Sequence, residues 1–278
     1  PISALVYTKS MNSQRPTKQL GKKPTIIMIH GFRGTHHGLL LIAKSIKGNP
    51  VNIPDLPGFG KGAKLKEYSL DNYVAWLHRY IKAQNLAEPP ILLGHSFGSI
   101  ISAAYAKQYP KTTQKLILVN QIGAPALEGP NQVMTKLAIL YYKVGAKLPE
   151  RTAHTWLAAK PIVRVMSITM STTRDKGLKR YIHDQHDRHF SRFHDHTSVL
   201  ESFKTSVSKP VGPFAKDVPV KTLLIAGSLD NITPLGKQYE LVKKFPNARL
   251  KVINDVGHLT HYETPEEVAK HVQAFIAK

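Results

Sequence analysis

Residues Gly94-His95-Ser96-Phe97-Gly98 follow the apolar run Pro90-Ile91-Leu92-Leu93 and open the helical stretch from Ser99 to Gln108. A serine set between glycines at a strand-to-helix hinge sits in a tight, strained turn. Its hydroxyl rises above the sheet, and the N–H of the next residue turns toward the same space. The five letters alone also fit an ordinary tight turn; the strand before them and the helix after them are what point to chemistry.

Outward from this hinge, β-rich runs alternate with helical periods. Thr25-Ile26-Ile27-Met28-Ile29 precedes Leu39/Ile42/Ala43/Ile46, and Val51-Asn52-Ile53 precedes Leu70/Tyr73/Val74/Leu77/Ile81. Leu116-Ile117-Leu118-Val119, Thr222-Leu223-Leu224-Ile225 and Leu250-Lys251-Val252-Ile253 read as further strands. Continuous apolar strands in a βαβ rhythm predict a parallel sheet covered on both faces. Ser69 with Asp71, Thr233-Pro234 and Thr264-Pro265-Glu266-Glu267 read as helix starts, the last as a threonine N-cap with a capping box.

Between Asn120 and Val220 the chain shows no convincing strand and several helical periods, such as Val133/Leu137/Leu140/Tyr141/Val144. A gap of this length is too long for a structureless loop. It reads as a helical insertion over the carboxyl edge of the sheet, where open α/β sheets bind ligands. Its residues Leu137, Leu140, Tyr141, Trp156, Val165, Met166 and Met170 are expected to pack inward, with Met166 and Met170 forming an adaptable pocket wall.

A serine hydroxyl needs a base to take its proton and a third group to orient that base. Asp230 follows the strand Leu223 to Ala226, and His258 follows the strand Leu250 to Ile253. In a parallel sheet both lie on the rim that carries Ser96. The rival acid position after Val119 holds Asn120, which has no negative charge to offer, and His261 is the neighbouring competitor for the base. For a developing oxyanion the backbone N–H groups of Phe97 and Phe32 are the candidate donors, Phe32 lying in His30-Gly31-Phe32-Arg33-Gly34 just after the first long strand. His30 is expected to brace that loop; Gly31, Gly94 and Gly98 support the two turns.

With these residues in view, the chain resembles the α/β-hydrolases. The resemblance rests on His30-Gly31-Phe32, on Gly94-His95-Ser96-Phe97-Gly98, on Asp230 and on Gly257-His258, and it spans residues 24 to 120 and 217 to 278. It implies an α/β-hydrolase fold: a mostly parallel central sheet with helices on both faces and an all-helical cap inserted before the last two strands. The expected division is a core of residues 1–120 and 217–278 and a cap of residues 121–216. The loop Asp55-Leu56-Pro57-Gly58-Phe59-Gly60 is similar to one found in epoxide hydrolases and haloalkane dehalogenases. Those use an aspartate nucleophile where this chain has Ser96, which favours ester hydrolysis. The resemblance thus implies a carboxylesterase acting on small to medium apolar esters through an acyl-enzyme, without metal or organic cofactor. A C–C bond hydrolase or haloperoxidase-like perhydrolase is the alternative within the fold, and a non-turnover ligand receptor the alternative outside enzymology.

The chain has 278 residues, 42% of them hydrophobic, and no cysteine, so it can bury a full core and forms no disulfide. It carries a formal charge of +21. Residues 121 to 216 hold 15 Lys/Arg against 7 Asp/Glu, nearly the density of the rest, so there is no basic tail and nucleic acid is not expected as a partner. Residues 1–54 contain Lys9, Arg15, Lys18, Lys22, Lys23, Arg33, Lys44 and Lys47 with no acid before Asp55, and are expected to form a basic edge suited to an anionic lipid surface. No apolar run is long enough to span a bilayer and no export signal is visible, which makes the cytoplasm the expected location. His183, His186, His189, His194 and His196 crowd together with Asp184, Asp187 and Asp195. Their spacing lacks an H-E-x-x-H pattern, and they read as a solvated cap surface and not as a metal site.

Overall fold

The computed structural model describes residues 23–125 and 132–278, with the side chains of 132–135 left aside. Lys9, Arg15, Lys18 and Lys22, and the side chain of Val133, therefore lie outside the described residues. The elements are β1 (Ile26–Ile29), α1 (Leu40–Ser45), β2 (Val51–Asn52), α2 (Leu70–Ala83), β3 (Ile91–His95), α3 (Phe97–Gln108) and β4 (Lys115–Val119). Then come α4 (Gln132–Lys147), α5 (Glu150–Leu157), α6 (Lys160–Met170), α7 (Lys176–His189) and α8 (His196–Ser208). The chain closes with β5 (Thr222–Gly227), α9 (Leu235–Val242), β6 (Ala248–Ile253), α10 (Thr260–Glu263) and α11 (Pro265–Ile276).

Six strands form one sheet in the order β2-β1-β3-β4-β5-β6, and every described pairing is parallel. Alternate strand residues feed two separate cores. Ile27, Ile29, Leu92, Leu116, Leu118 and Leu224 pack toward α2 and α3, whereas Ile26, Met28, Ile91, Leu93, Ile117 and Val119 pack toward α1 and α11. This is why β1, β3, β4 and β5 read as apolar runs: a helix layer covers each face there, whereas the edge strand β6 leaves Lys251 exposed. Each fully buried Leu or Ile contributes on the order of 2 kcal/mol. The order reverses between β1 and β3, so the loops after these two strands part to either side and leave a crevice at the carboxyl edge.

Several helix starts differ from expectation. Ser69 precedes α2 without a side-chain cap bond. Thr264 stands at the N-cap of α11, yet its hydroxyl donates to the Thr260 carbonyl at 3.3 Å, so the capping box does not form. Thr233 turns to Asp230, and α9 starts only at Leu235. Side-chain caps occur instead at Asp175 on α7 and at Asp195 on α8, the latter with a reciprocal Ser198 bond.

Helices α4 to α8 lie between β4 and β5 and are fastened to the sheet's loops. An isolated bridge pairs Phe59 with Phe193, and Gly60 N–H donates to the Arg192 carbonyl at 2.6 Å. Their apolar residues correct the inward-packing expectation: Leu137, Leu140 and Val165 are more than half exposed and Trp156 is 39% exposed. Tyr141 and Met166 are half-buried against the core, and Met170 against a small satellite cluster. Among the described residues no helix is long and apolar enough to cross a membrane.

Candidate active site

Ser96 sits between β3 and α3 with φ 51° and ψ −117°, a left-handed backbone that a side chain adopts only when its surroundings hold it there. The flanking glycines explain how. A Cβ on Gly98 would stand 2.2 Å from the Ile29 carbonyl oxygen, and one on Gly94 2.3 Å from the Gly98 oxygen. The elbow is thus pressed against β1 closely enough that only glycine fits.

Asp230 and His258 come from the loops after β5 and β6. His258 Nε2 lies 2.9 Å from Ser96 Oγ, and His258 Nδ1 lies 2.8 Å from Asp230 Oδ2. An ionised carboxylate only accepts, so Nδ1 carries the proton and Nε2 is left to accept the serine hydroxyl. Asp230 and His258 are both buried, while Ser96 is half-exposed to the crevice. His261 is buried with its ring stacked obliquely at 4.1 Å from that of His95.

Asp230 is heavily solvated by protein. Oδ1 accepts the N–H groups of Ile232 and Thr233, each at 2.9 Å. Oδ2 accepts from Asn120 Nδ2 at 2.8 Å and from the Thr233 hydroxyl besides His258. Burial by itself raises a carboxyl pKa, but His258 and these donors outweigh it and hold Asp230 well below the usual carboxylate range. Asn120 thereby has a part that its lack of charge concealed: its amide joins Asp230 to the Gly257 carbonyl at 3.2 Å, and its oxygen accepts the Thr260 hydroxyl. Thr172 adds a strap from the helical layer, its hydroxyl accepting Gly257 N–H at 2.8 Å and donating to Glu263 at 2.6 Å.

The loop after β1 lies across the crevice. His30 Nε2 is 2.8 Å from the Leu56 N–H, a donor, so the ring proton sits on Nδ1 and is given to the Gly31 carbonyl at 2.9 Å. Burial keeps this ring neutral by lowering its pKa. Gly34 N–H closes the turn on the Gly31 carbonyl at 3.0 Å. The Phe32 ring meets the Phe97 ring edge to face at 6.5 Å, so the two residues whose N–H groups are the oxyanion candidates are packed on each other. His95, a silent position in the pentapeptide, lies with Nε2 3.3 Å from the His258 carbonyl; burial, then the neighbouring His258, lowers its pKa to about 3.

Arg33 corrects the expected basic edge. Lys23, Lys44 and Lys47 are exposed, but Arg33 is 1% exposed. Its guanidinium donates to the carbonyls of Leu157 at 2.6 Å and Phe190 at 3.1 Å, the ends of α5 and α7, and to Tyr142 Oη at 3.3 Å. It also stands 5.3 and 5.5 Å from the Phe190 and Phe193 ring centres. Two helix C-termini and two ring faces thus act as the counter-charge. Nothing in the motif His30-Gly31-Phe32-Arg33-Gly34 foretold this, because the partners lie more than 100 residues away.

The crevice encloses a cavity of about 630 Å³. Ser96 and His258 open into it, and Phe32, Tyr142, Met166, Met170, Phe190 and Phe203 form much of its apolar wall. Of the clustered histidines, His183 and His186 both contact the Ser167 hydroxyl, at 2.6 and 2.7 Å, and His189 stacks on His37 at 3.8 Å. Asp184 and Asp187 pair with Arg188 and Arg164. Among the described residues no three His, Asp or Glu side chains converge to hold a metal ion.

A profile of the alpha/beta hydrolase fold matches residues 24–265, and the chain belongs to that family. Its character within the family is esterase- and lipase-like. It is similar to Lipase 3 of Moraxella sp. (strain TA144), 27% identical over 259 residues that span 90% of this chain and 76% of the relative. It is likewise similar to Monoacylglycerol lipase ABHD6 of Homo sapiens, 23% identical over 261 residues, 92% of this chain and 76% of that one. The solved enol-lactonase from Burkholderia xenovorans LB400 superposes with a TM-score of 0.76 at 17% identity, covering 94% of each chain, a likeness of fold.

Proposed function

We propose that the protein is a serine hydrolase that cleaves carboxylic esters through an acyl-enzyme. The observation that carries this reading is the continuous relay from Ser96 Oγ through His258 to Asp230, at 2.9 and 2.8 Å, opening into an apolar cavity. Ser96 Oγ attacks the ester carbonyl carbon while His258 Nε2 takes its proton, and Asp230 stabilises the imidazolium. The negative oxygen is held by the N–H groups of Phe32 and Phe97. Collapse breaks the C–O bond, the alcohol leaves with the proton from His258, and water activated by the same ring releases the acid.

In this reading residues 1–120 and 217–278 form the catalytic core and residues 121–216 the cap, with His30, Gly31, Gly94 and Gly98 supporting the two catalytic turns. A cavity of about 630 Å³ falls in the range of roughly 300–1,000 Å³ that encloses a small organic molecule. Its apolar wall suits an ester with a small to medium apolar part, and the relatives' names support a monoacylglycerol among the candidates. The chemistry uses no metal or organic cofactor.

The test is a panel of p-nitrophenyl and glycerol esters of increasing acyl length, run on the wild type and on Ser96→Ala in parallel. Turnover of medium-length esters that Ser96→Ala loses by several orders of magnitude is the expected result. Equal rates in the two proteins, or single-turnover acylation without product release, would overturn the proposal.

A further inference from the structure

Helix α4 divides its circumference three ways. Ala138, Tyr142 and Gly145, at helical i, i+4, i+7 spacing, face inward: the first two line the cavity, and Gly145 lies against the Leu157 side chain. Leu137, Leu140 and Val144, at i, i+3, i+7, form a stripe open to solvent, with exposures of 54%, 57% and 37%. Beyond Leu140, Lys136, Lys143 and Lys147 make an exposed row along the flank of that stripe, at i, i+7, i+11. An apolar stripe bordered by a lysine row is the pattern of a helix that lies in a bilayer's headgroup boundary.

The surface continues onto α5. The Trp156 ring lies 5.5 Å from that of Tyr141, and its Nε1 donates to the Tyr141 carbonyl at 3.1 Å, which fixes a half-exposed indole beside the stripe. Tryptophan and tyrosine are the side chains that favour the membrane–water interface. Between residues 132 and 160 the only acid is Glu150, against Lys136, Lys143, Lys147, Arg151 and Lys160. The salt bridges among the described residues involve none of these cations. Among the described residues no carboxylate is paired with them.

Charge chooses the occupant. A second copy of the chain would bring the same five cations against one acid to this face, and like charge at close approach is unfavourable. An anionic bilayer complements both halves of the surface, taking the leucines into the acyl boundary and the lysines at its headgroups. We propose that the α4–α5 face is a docking surface for anionic lipid bilayers. The same helix that touches lipid outside then walls the cavity inside.

Co-sedimentation of the full chain with vesicles of phosphatidylcholine, alone or mixed with phosphatidylglycerol, tests this. The wild type is expected to bind the mixed vesicles at least 10-fold more tightly than the neutral ones, and to release as salt rises. Lys136→Glu/Lys143→Glu/Lys147→Glu should weaken binding by about 10- to 100-fold. Leu140→Asp should weaken it in the same direction, and both variants should keep wild-type hydrolysis of a soluble short ester as evidence of folding. Lys23→Glu/Lys44→Glu/Lys47→Glu, at exposed lysines before β1, on α1 and just after it, should bind much as the wild type does. Ser96→Ala should bind fully, so a failed hydrolase reading leaves this test intact. Absence of binding, equal binding to both vesicle types, or equal loss in the two lysine triples would overturn the proposal. A dimer in sedimentation velocity that Leu140→Asp dissolves would give the face to a second copy and overturn it equally.

Discussion

Arg33 donates to the Leu157 carbonyl at 2.6 Å, so the residue next to Phe32 in the loop after β1 is bonded to the far end of a helix in the layer above. The oxyanion-loop candidate and the layer of helices α4 to α8 are joined by one side chain. Its φ of +58° turns the chain so that the side chain leaves the loop toward that layer.

Arg33→Met keeps the apolar bulk and removes every donor, leaving the Leu157 and Phe190 carbonyls without this partner. A loss on the order of 3 kcal/mol in denaturant unfolding is expected, with a fall in kcat as the Phe32 loop loosens. Arg33→Lys keeps the charge without the planar fork and should recover only part of either. Stability within about 0.5 kcal/mol of wild type for Arg33→Met would show that the joint is idle.

Asp230→Asn should lower kcat by about 10³- to 10⁴-fold, because an amide fails both to fix the Nδ1–H tautomer and to stabilise imidazolium. Asn120→Ala keeps the carboxylate and removes one of its donors, so a milder loss of about 10-fold is expected. Steady-state kinetics on one ester ranks the two, and a larger loss for Asn120→Ala would reverse the roles assigned to them.

Gly98→Ala inserts a methyl 2.2 Å from the Ile29 oxygen and 2.7 Å from the His30 oxygen. The elbow has to move, and Ser96 with it. Labelling by a fluorophosphonate, which reads nucleophile geometry directly, should slow by at least ~100-fold, since a displacement of about 1 Å costs that much. Unchanged labelling would mean that β1 yields instead.

Acid should destabilise the fold well before carboxylates titrate. Burial lowers the pKa of His95 to about 3 and of His186 to about 4, below the value of about 6.5 expected in the unfolded chain. As pH falls through about 6.5 the unfolded state takes up protons that these buried rings do not, so stability declines toward pH 4 by on the order of 1 kcal/mol per pH unit for each ring. Asp230, held low, keeps its contribution above the unfolded carboxyl pKa and loses it only at lower pH still. Melting temperature against pH, repeated on His186→Asn, checks this: the slope should flatten in the variant, and a flat wild-type curve between pH 6.5 and 4.5 would contradict it.

Much of this was legible along the chain because it depends on local pattern. Ser96, Asp230 and His258 each follow an apolar run that reads as a strand, and in a parallel sheet strand ends share a rim; their approach to 2.9 and 2.8 Å follows from that. What depends on distant cover was not legible. Leu137, Leu140 and Val165 carry the spacing of buried helix faces, yet spacing does not say which side meets the sheet. Arg33 looks like any loop cation until Leu157, Phe190 and Tyr142 close over it. Thr233 and Thr264 have the composition of helix caps, but nearer partners claim their hydroxyls.

The partners of Arg33 are carbonyl dipoles, ring faces and the Tyr142 hydroxyl, none of which takes up a proton as the solution is acidified. The clasp between the loop and the helical layer therefore has no half that titrates in acid. Acidification that charges His37, whose pKa is lowered to about 4 chiefly by burial, or His189 stacked on it therefore perturbs one contact between this loop and the helical layer while the Arg33 contact keeps its partners.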